Sequence, residues 1–185
     1  MSEAGDRAAF LGRVRGRLAG GIPENMIRPI KPVGAEVGEI QYSVDVSDRV
    51  EAFTRALEAV AGKVVWVKDA AGLASTLHSL CVEHSVQRAV VSADPECEGI
   101  VDVLVKIGVV AEPLRNPAQA AEAELGVTGA LWGVALTGSV VVDSARAGGR
   151  TASLLPPVHL ALLPADRIVG TPGDVLRALG SGALP

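Results

Sequence analysis

Cysteine is nearly missing from this chain, which holds only Cys81 and Cys97 and no C-x-x-C spacing. Two isolated thiols make neither an iron–sulfur site nor a zinc site. We therefore expect no metal and no cofactor, and two reduced thiols in a cytoplasmic protein. Aromatic residues are almost as scarce, at 3%, so the core has to be assembled from Ala, Val and Leu. Neither sign of charge dominates. A net charge of −4 gives no general electrostatic case for nucleic acid or for an anionic membrane surface. The N-terminus has no charged-then-apolar pattern, and no signal peptide is expected.

One uncharged stretch, Leu125 to Val142, is long enough to suggest a membrane span. Its four glycines, two threonines and one serine break it into short apolar bursts, which read as buried strands between turns. No membrane span is expected. Familiar catalytic signatures are missing as well. There is no G-x-G-x-x-G, because Gly126, Gly129 and Gly133 are spaced otherwise, and Ser153 lies outside any G-x-S-x-G elbow. His78 and His84 are six residues apart, which places them on different sides of a helix and excludes a metal pair.

What remains is a chain of 185 residues, enough for one α/β domain with an appended arm. Asp6 to Leu18 carries Phe10, Leu11, Val14 and Leu18 at helical spacing, ringed by Arg7, Arg13, Arg15 and Arg17. It reads as an amphipathic helix that docks on its own domain or on an acidic partner. Gly20 to Gly38, with Pro23, Pro29 and Pro32, reads as an extended linker that wraps its own domain or a neighbouring subunit, so a homo-oligomer stays open. Residues 1–43 are thus an arm and 44–185 the folded domain.

From Ser47, a candidate N-cap, the pattern becomes regular. It gives a helix through Val60, a strand over Lys63–Val67 and a helix over Asp69–Glu83. A strand over Arg88–Ser92 follows, then a helix from Asp94 to Ile107 and a short strand through Ala111. Such alternation predicts a layered αβα fold with a mostly parallel sheet. Pro117 opens a short helix. The second half is crowded with strands over Trp132–Leu136, Ser139–Asp143, Val158–Leu163 and Arg167–Val169, before a last helix from Thr171-Pro172.

Two Thr-Gly pairs, Thr128-Gly129 and Thr137-Gly138, punctuate this half. Each is able to turn the chain and expose N–H groups beside a hydroxyl, an arrangement suited to a carboxylate or phosphate. The same pairs also fit tight turns whose hydroxyls satisfy local backbone. Ser139 adds a hydroxyl. Arg150, after Ala147-Gly148-Gly149, offers a planar fork for an anion, and His159 offers an acid, base or hydrogen-bond donor. Each has a plainer reading, as a solvated loop arginine or a satisfied core histidine.

The segments E-L-G-V-T-G and A-L-T-G-S, a Gly/Arg loop and S-L-L-P-P-V-H together resemble the lactate-utilization protein C family, also called the LUD domain, from Val44 to about Leu179. One position departs: Leu136 stands where the family usually has Glu, so no role of that carboxylate carries over. The resemblance implies a fold similar to the glucosamine-phosphate deaminase, ribose-phosphate isomerase and CoA-transferase group. It also implies a non-redox subunit of a bacterial L-lactate oxidation system, not catalytic alone, whose companion proteins carry iron–sulfur clusters. Thr128, Gly129, Thr137, Gly138, Ser139, Arg150, Ser153 and His159 are the candidate ligand-binding residues for a small organic acid or phosphate-containing ligand. Two other functions stay open. One is an enzyme on a CoA-transferase-like scaffold, for which Glu122 and Glu124 are the nearby carboxylates, and the other is a pure interaction protein.

Overall fold

The computed structural model describes residues 48–182. The expected N-terminal helix, the Pro/Gly arm and the Ser47 cap lie outside these residues. Helix α1 spans Arg49–Glu58. Helix α2 spans Ala70–Glu83 and is started by Asp69, whose side chain accepts a hydrogen bond from the Gly72 N–H at 2.7 Å; this satisfies one of the donors that a helix N-terminus leaves open. Strand β1 is Arg88–Val91, helix α3 Ile100–Lys106, strand β2 Val110–Pro113 and helix α4 Pro117–Ala121. Then come β3 (Leu125–Gly129), β4 (Trp132–Val134), β5 (Ser139–Val141), α5 (Thr151–Leu154), β6 (Val158–Leu162), β7 (Ile168–Val169) and α6 (Pro172–Gly180).

The main sheet has the order β2-β1-β3-β6, all parallel. Strand alternation sends Ala89, Val91, Leu125 and Val127 to one face, where they pack with Leu77 and Cys81 of α2 and Ile100 and Leu104 of α3. Leu77, Leu104 and Leu125 are fully buried, each worth roughly 1.5–3 kcal/mol of removed apolar surface. The opposite face carries Val90, which packs with Ala120 of α4, Ala123 and Ala152 of α5. Helices on both faces of a parallel sheet make the αβα layering that the alternation predicts.

A smaller sheet, β5-β4-β7, pairs β4 antiparallel to β5 and parallel to β7. Leu131, Trp132 and Val134 pack with Val175 of α6 in one cluster. Ala135 and Ile168 pack with Phe53 of α1 in another.

Several expected elements change. Lys63–Val67 joins no strand among the described residues, and Val65, Trp66 and Val67 are exposed; an apolar β-rich run does not become a strand without a partner. The helix expected from Asp94 to Ile107 breaks into a 3-10 turn at Pro95–Cys97 and then α3, because Gly99 sits between them at φ +75°. The strand expected through Ala111 runs instead from Val110 to Pro113. The strands of the small sheet stop at Val134 and Val141, short of Leu136 and Asp143. The loop after Gly149 contains α5, and Thr128-Gly129 lies inside strand β3 rather than in a turn.

Candidate functional site

Strand order fixes where a ligand crevice belongs. The chain leaves β1 through α3 to β2 on one side, then returns through α4 to β3 on the other side of β1. In an open parallel sheet such a reversal leaves a gap beyond the carboxyl ends of the two diverging strands. Here those strands are β1 and β3, so residues 92–98 and Thr128-Gly129 border the gap.

Three polar side chains there are buried: Ser92, Asp94 and Thr128. The Ser92 Oγ–H donates to Asp94 Oδ2, and the Gly129 N–H donates to the same oxygen at 3.0 Å. Asp94 thus ties the loop after β1 to the end of β3. A side chain on Gly129 would meet Glu96 Oε2 at 2.5 Å and Asp94 Cβ at 2.7 Å; the glycine lets this acidic loop lie against the strand. Cys97 Sγ lies 3.6 Å from Ser92 Oγ, and burial chiefly pushes its thiol up to about 11, with a smaller rise from Asp94 and Glu96. It is a packed, protonated thiol at neutral pH.

Glu96 pairs with Arg167, which comes from the 3-10 turn Ala165–Arg167 just before β7. Both are partly buried, with 12% and 23% of their side chains exposed. Burial by itself raises the Glu96 pKa, but the Arg167 hydrogen bond, Glu96's own backbone and the charges of Arg167 and Arg146 together hold it below the ordinary value. A carboxylate with a depressed folded pKa adds stability above its unfolded pKa and loses it as pH falls through the folded value. Replacing Arg167 strands that carboxylate. We expect Arg167→Gln to cost about 2 kcal/mol, less than for a fully buried pair. The wild type's loss of stability on acidification should shrink in the variant. Urea melts of both proteins from pH 7 down to pH 3 read this out, and parallel pH curves would refute it.

On the next strand, Thr128 Oγ1 lies 2.9 Å from His159 Nε2. Thr128 stands opposite Ala161 and His159 opposite Gly126, so the bond crosses diagonally on the α5 side of the sheet. His159 is exposed at the sheet edge, yet part of its ring is dehydrated against the protein, and that burial lowers its pKa. Burial thus favours its uncharged form, and the Thr128 hydroxyl lies against one ring nitrogen. Helix α5 packs over the same place, close enough that a Cβ on Gly126 would sit 1.8 Å from the Ala152 carbonyl oxygen. Arg150, exposed, occupies the cap position of α5, and its carbonyl accepts from the Ser153 hydroxyl at 3.0 Å.

Five of the eight candidate residues, Thr128, Gly129, Arg150, Ser153 and His159, therefore belong to β3, α5 and β6, which pack together. Thr137, Gly138 and Ser139 belong elsewhere, to the β4–β5 hairpin of the small sheet. There the Gly138 N–H donates to the Val134 carbonyl at 2.9 Å, and the Thr137 and Ser139 hydroxyls bond each other at 2.8 Å. Leu136 is exposed on the same hairpin. The nearby carboxylates Glu122 and Glu124 lie at the amino end of β3, away from the gap. Glu122 pairs with Arg88, and Glu124 accepts from the Arg88 and Gln87 N–H groups; the Arg88 bond chiefly holds its carboxyl below the ordinary range.

The LUD domain family model matches residues 50–183, which hold both sheets. The chain belongs to the LUD domain family. Among solved structures it is similar to a DUF162 family protein from Deinococcus radiodurans, at 21% identity over 64% of this chain and 87% of that one, with a TM-score of 0.36. No curated protein matches.

In this LUD domain the residues that sequence reasoning missed are Ser92, Asp94, Glu96 and Arg167. Asp94-Pro95 reads naturally as a helix start, and the available hint was only that it directly follows a strand's carboxyl end. Among the described residues no group of three or more His, Cys, Asp or Glu is placed to hold a metal, and no helix is long and apolar enough to cross a membrane.

Proposed function

We propose that this chain is a non-redox component of an L-lactate or related organic-acid utilization system, and that it binds a small carboxylate beside Thr128 and His159. Membership of the LUD domain family supports the pathway. The single observation that carries the binding role is the hydrogen bond between Thr128 and His159 of β6, the edge strand of the main sheet among the described residues. In this reading the pair supplies directional hydrogen bonds to a 2-hydroxy or 2-oxo acid, and Arg150 supplies the charge for its carboxylate. With only Cys81 and Cys97 in the chain, electrons removed from the acid pass to iron–sulfur companion proteins rather than to this subunit. The hairpin bearing Thr137, Gly138 and Ser139 then serves packing rather than ligand contact.

Calorimetric titration with L-lactate and pyruvate tests this. The wild type should bind one of them. Arg150→Ala should weaken binding several-fold, since a charge-assisted hydrogen bond contributes roughly 1.5–3 kcal/mol before solvent exposure reduces it. Thr128→Val, which keeps the shape and removes the hydroxyl, should weaken it comparably. Affinities unchanged in both variants would place the ligand elsewhere.

A further inference from the structure

The cleft at the carboxyl end of β1 lies on the 92–98 side of the gap, is lined by neither Thr128 nor His159, and differs from that pair in chemistry. It has a volume of about 370 Å³ and is bordered by Val91, Val101 and Pro113 as apolar walls and by Ser92, Asp94 and Glu98 as polar groups. Asp94 is 5% exposed. Both of its hydrogen bonds, from the Ser92 hydroxyl and the Gly129 N–H, fall on Oδ2. Among the described residues Oδ1 takes no hydrogen bond, although it is not one of the fully enclosed polar atoms. Asp94 borders the cleft with this second oxygen unbonded, and a carboxylate oxygen accepts from a donor that reaches it.

Charge selects the donor. Asp94 and Glu98 both border the cleft and, among the described residues, no Lys, Arg or His does, so apolar walls focus a negative potential into it. That disfavours an anion and favours a cation over a neutral alcohol. A bare metal ion lacks a ligand set here, since no group of three or more metal-binding side chains exists among the described residues. Hydrocarbon walls favour a ligand with a short apolar body.

We propose that this cleft binds a small primary ammonium compound, its NH3+ group donating to Asp94 Oδ1 and attracted by Glu98, its alkyl part against Val91, Val101 and Pro113. Its lining includes neither Thr128 nor His159, and its ligand is of opposite charge.

Three probes of one size separate the alternatives: n-butylammonium, butan-1-ol and butyrate, each titrated into the full chain and followed by calorimetry and amide chemical shifts. Butylammonium should bind, with shifts at residues 92–98; butan-1-ol should bind more weakly and butyrate not at all. Asp94→Asn keeps an acceptor for the Gly129 N–H and removes the charge; it should lower butylammonium affinity about tenfold or more. If that variant does not fold, Glu98→Gln on the exposed rim and Val101→Trp, which fills the cleft, take its place, and both should weaken binding. The proposal is overturned if butylammonium does not bind the wild type, if butan-1-ol binds as tightly, or if folded charge-removing variants bind the amine unchanged.

Discussion

Gly126→Val should destabilise the protein by about 3 kcal/mol or more, at the upper end of what overpacking costs, because the atoms in the way are backbone. A Cβ at this position would lie 1.8 Å from the Ala152 carbonyl oxygen, 2.8 Å from the Ala152 carbonyl carbon and 3.0 Å from Pro156 Cγ. No side chain is able to rotate aside; α5 itself has to lift from β3. The lifted segment carries Arg150 and Ser153 and leads into β6 with His159, so carboxylate binding should fall together with stability. Chemical denaturation gives the first number and titration with L-lactate the second. A variant with wild-type melting would show that α5 does not pack as described.

The second large effect is at Gly138, for a different combination of reasons. Its φ is +64°, a region costly for any residue with a Cβ and worst for a branched one. A Cβ there would also lie 2.3 Å from the Leu57 backbone nitrogen and 2.5 Å from the Ala56 carbonyl carbon of α1. Left-handed strain of about 1–2 kcal/mol adds to the overlap, and we expect Gly138→Val to cost about 3 kcal/mol or more in total. Gly148 separates the two contributions: its φ is +71°, and a Cβ there would meet nothing within 4 Å. Gly148→Val should therefore cost only the strain, about 1–2 kcal/mol. Equal losses at Gly138 and Gly148, measured by urea denaturation, would show that α1 does not rest on the β4–β5 hairpin.

These two glycines show what the sequence made legible and what it did not. Both stand out as parts of Gly-containing segments, and both are irreplaceable for physical reasons. Only Gly138, however, needs its glycine for a turn. Gly126 and Gly129 need theirs so that α5 and the 94–96 loop can approach β3, and close approach depends on residues far along the chain. Local signals are legible. Asp69 caps α2, and Thr171 with Asp174 forms the capping box that starts α6. Leu73, Leu77 and Leu80, on one side of α2, face the main core. Elements that depend on a partner are not legible: Lys63–Val67 has strand composition and, among the described residues, no strand to pair with.

The site divides in the same way. Thr128 and His159 carry recognisable side chains in recognisable segments. The Glu96–Arg167 pair joins residues 71 apart, and Asp94 meets Gly129 only because the chain reverses direction between β1 and β3. Topology brings these groups together, and no spacing within one segment announces it.

The most direct test follows the His159 ring by proton–nitrogen NMR while L-lactate is added at pH 7. Binding at the Thr128–His159 pair predicts saturable shifts of the His159 imidazole signals, with smaller changes at Arg150, and loss of both in Thr128→Val. Saturable lactate binding that leaves the His159 ring signals unmoved would contradict it.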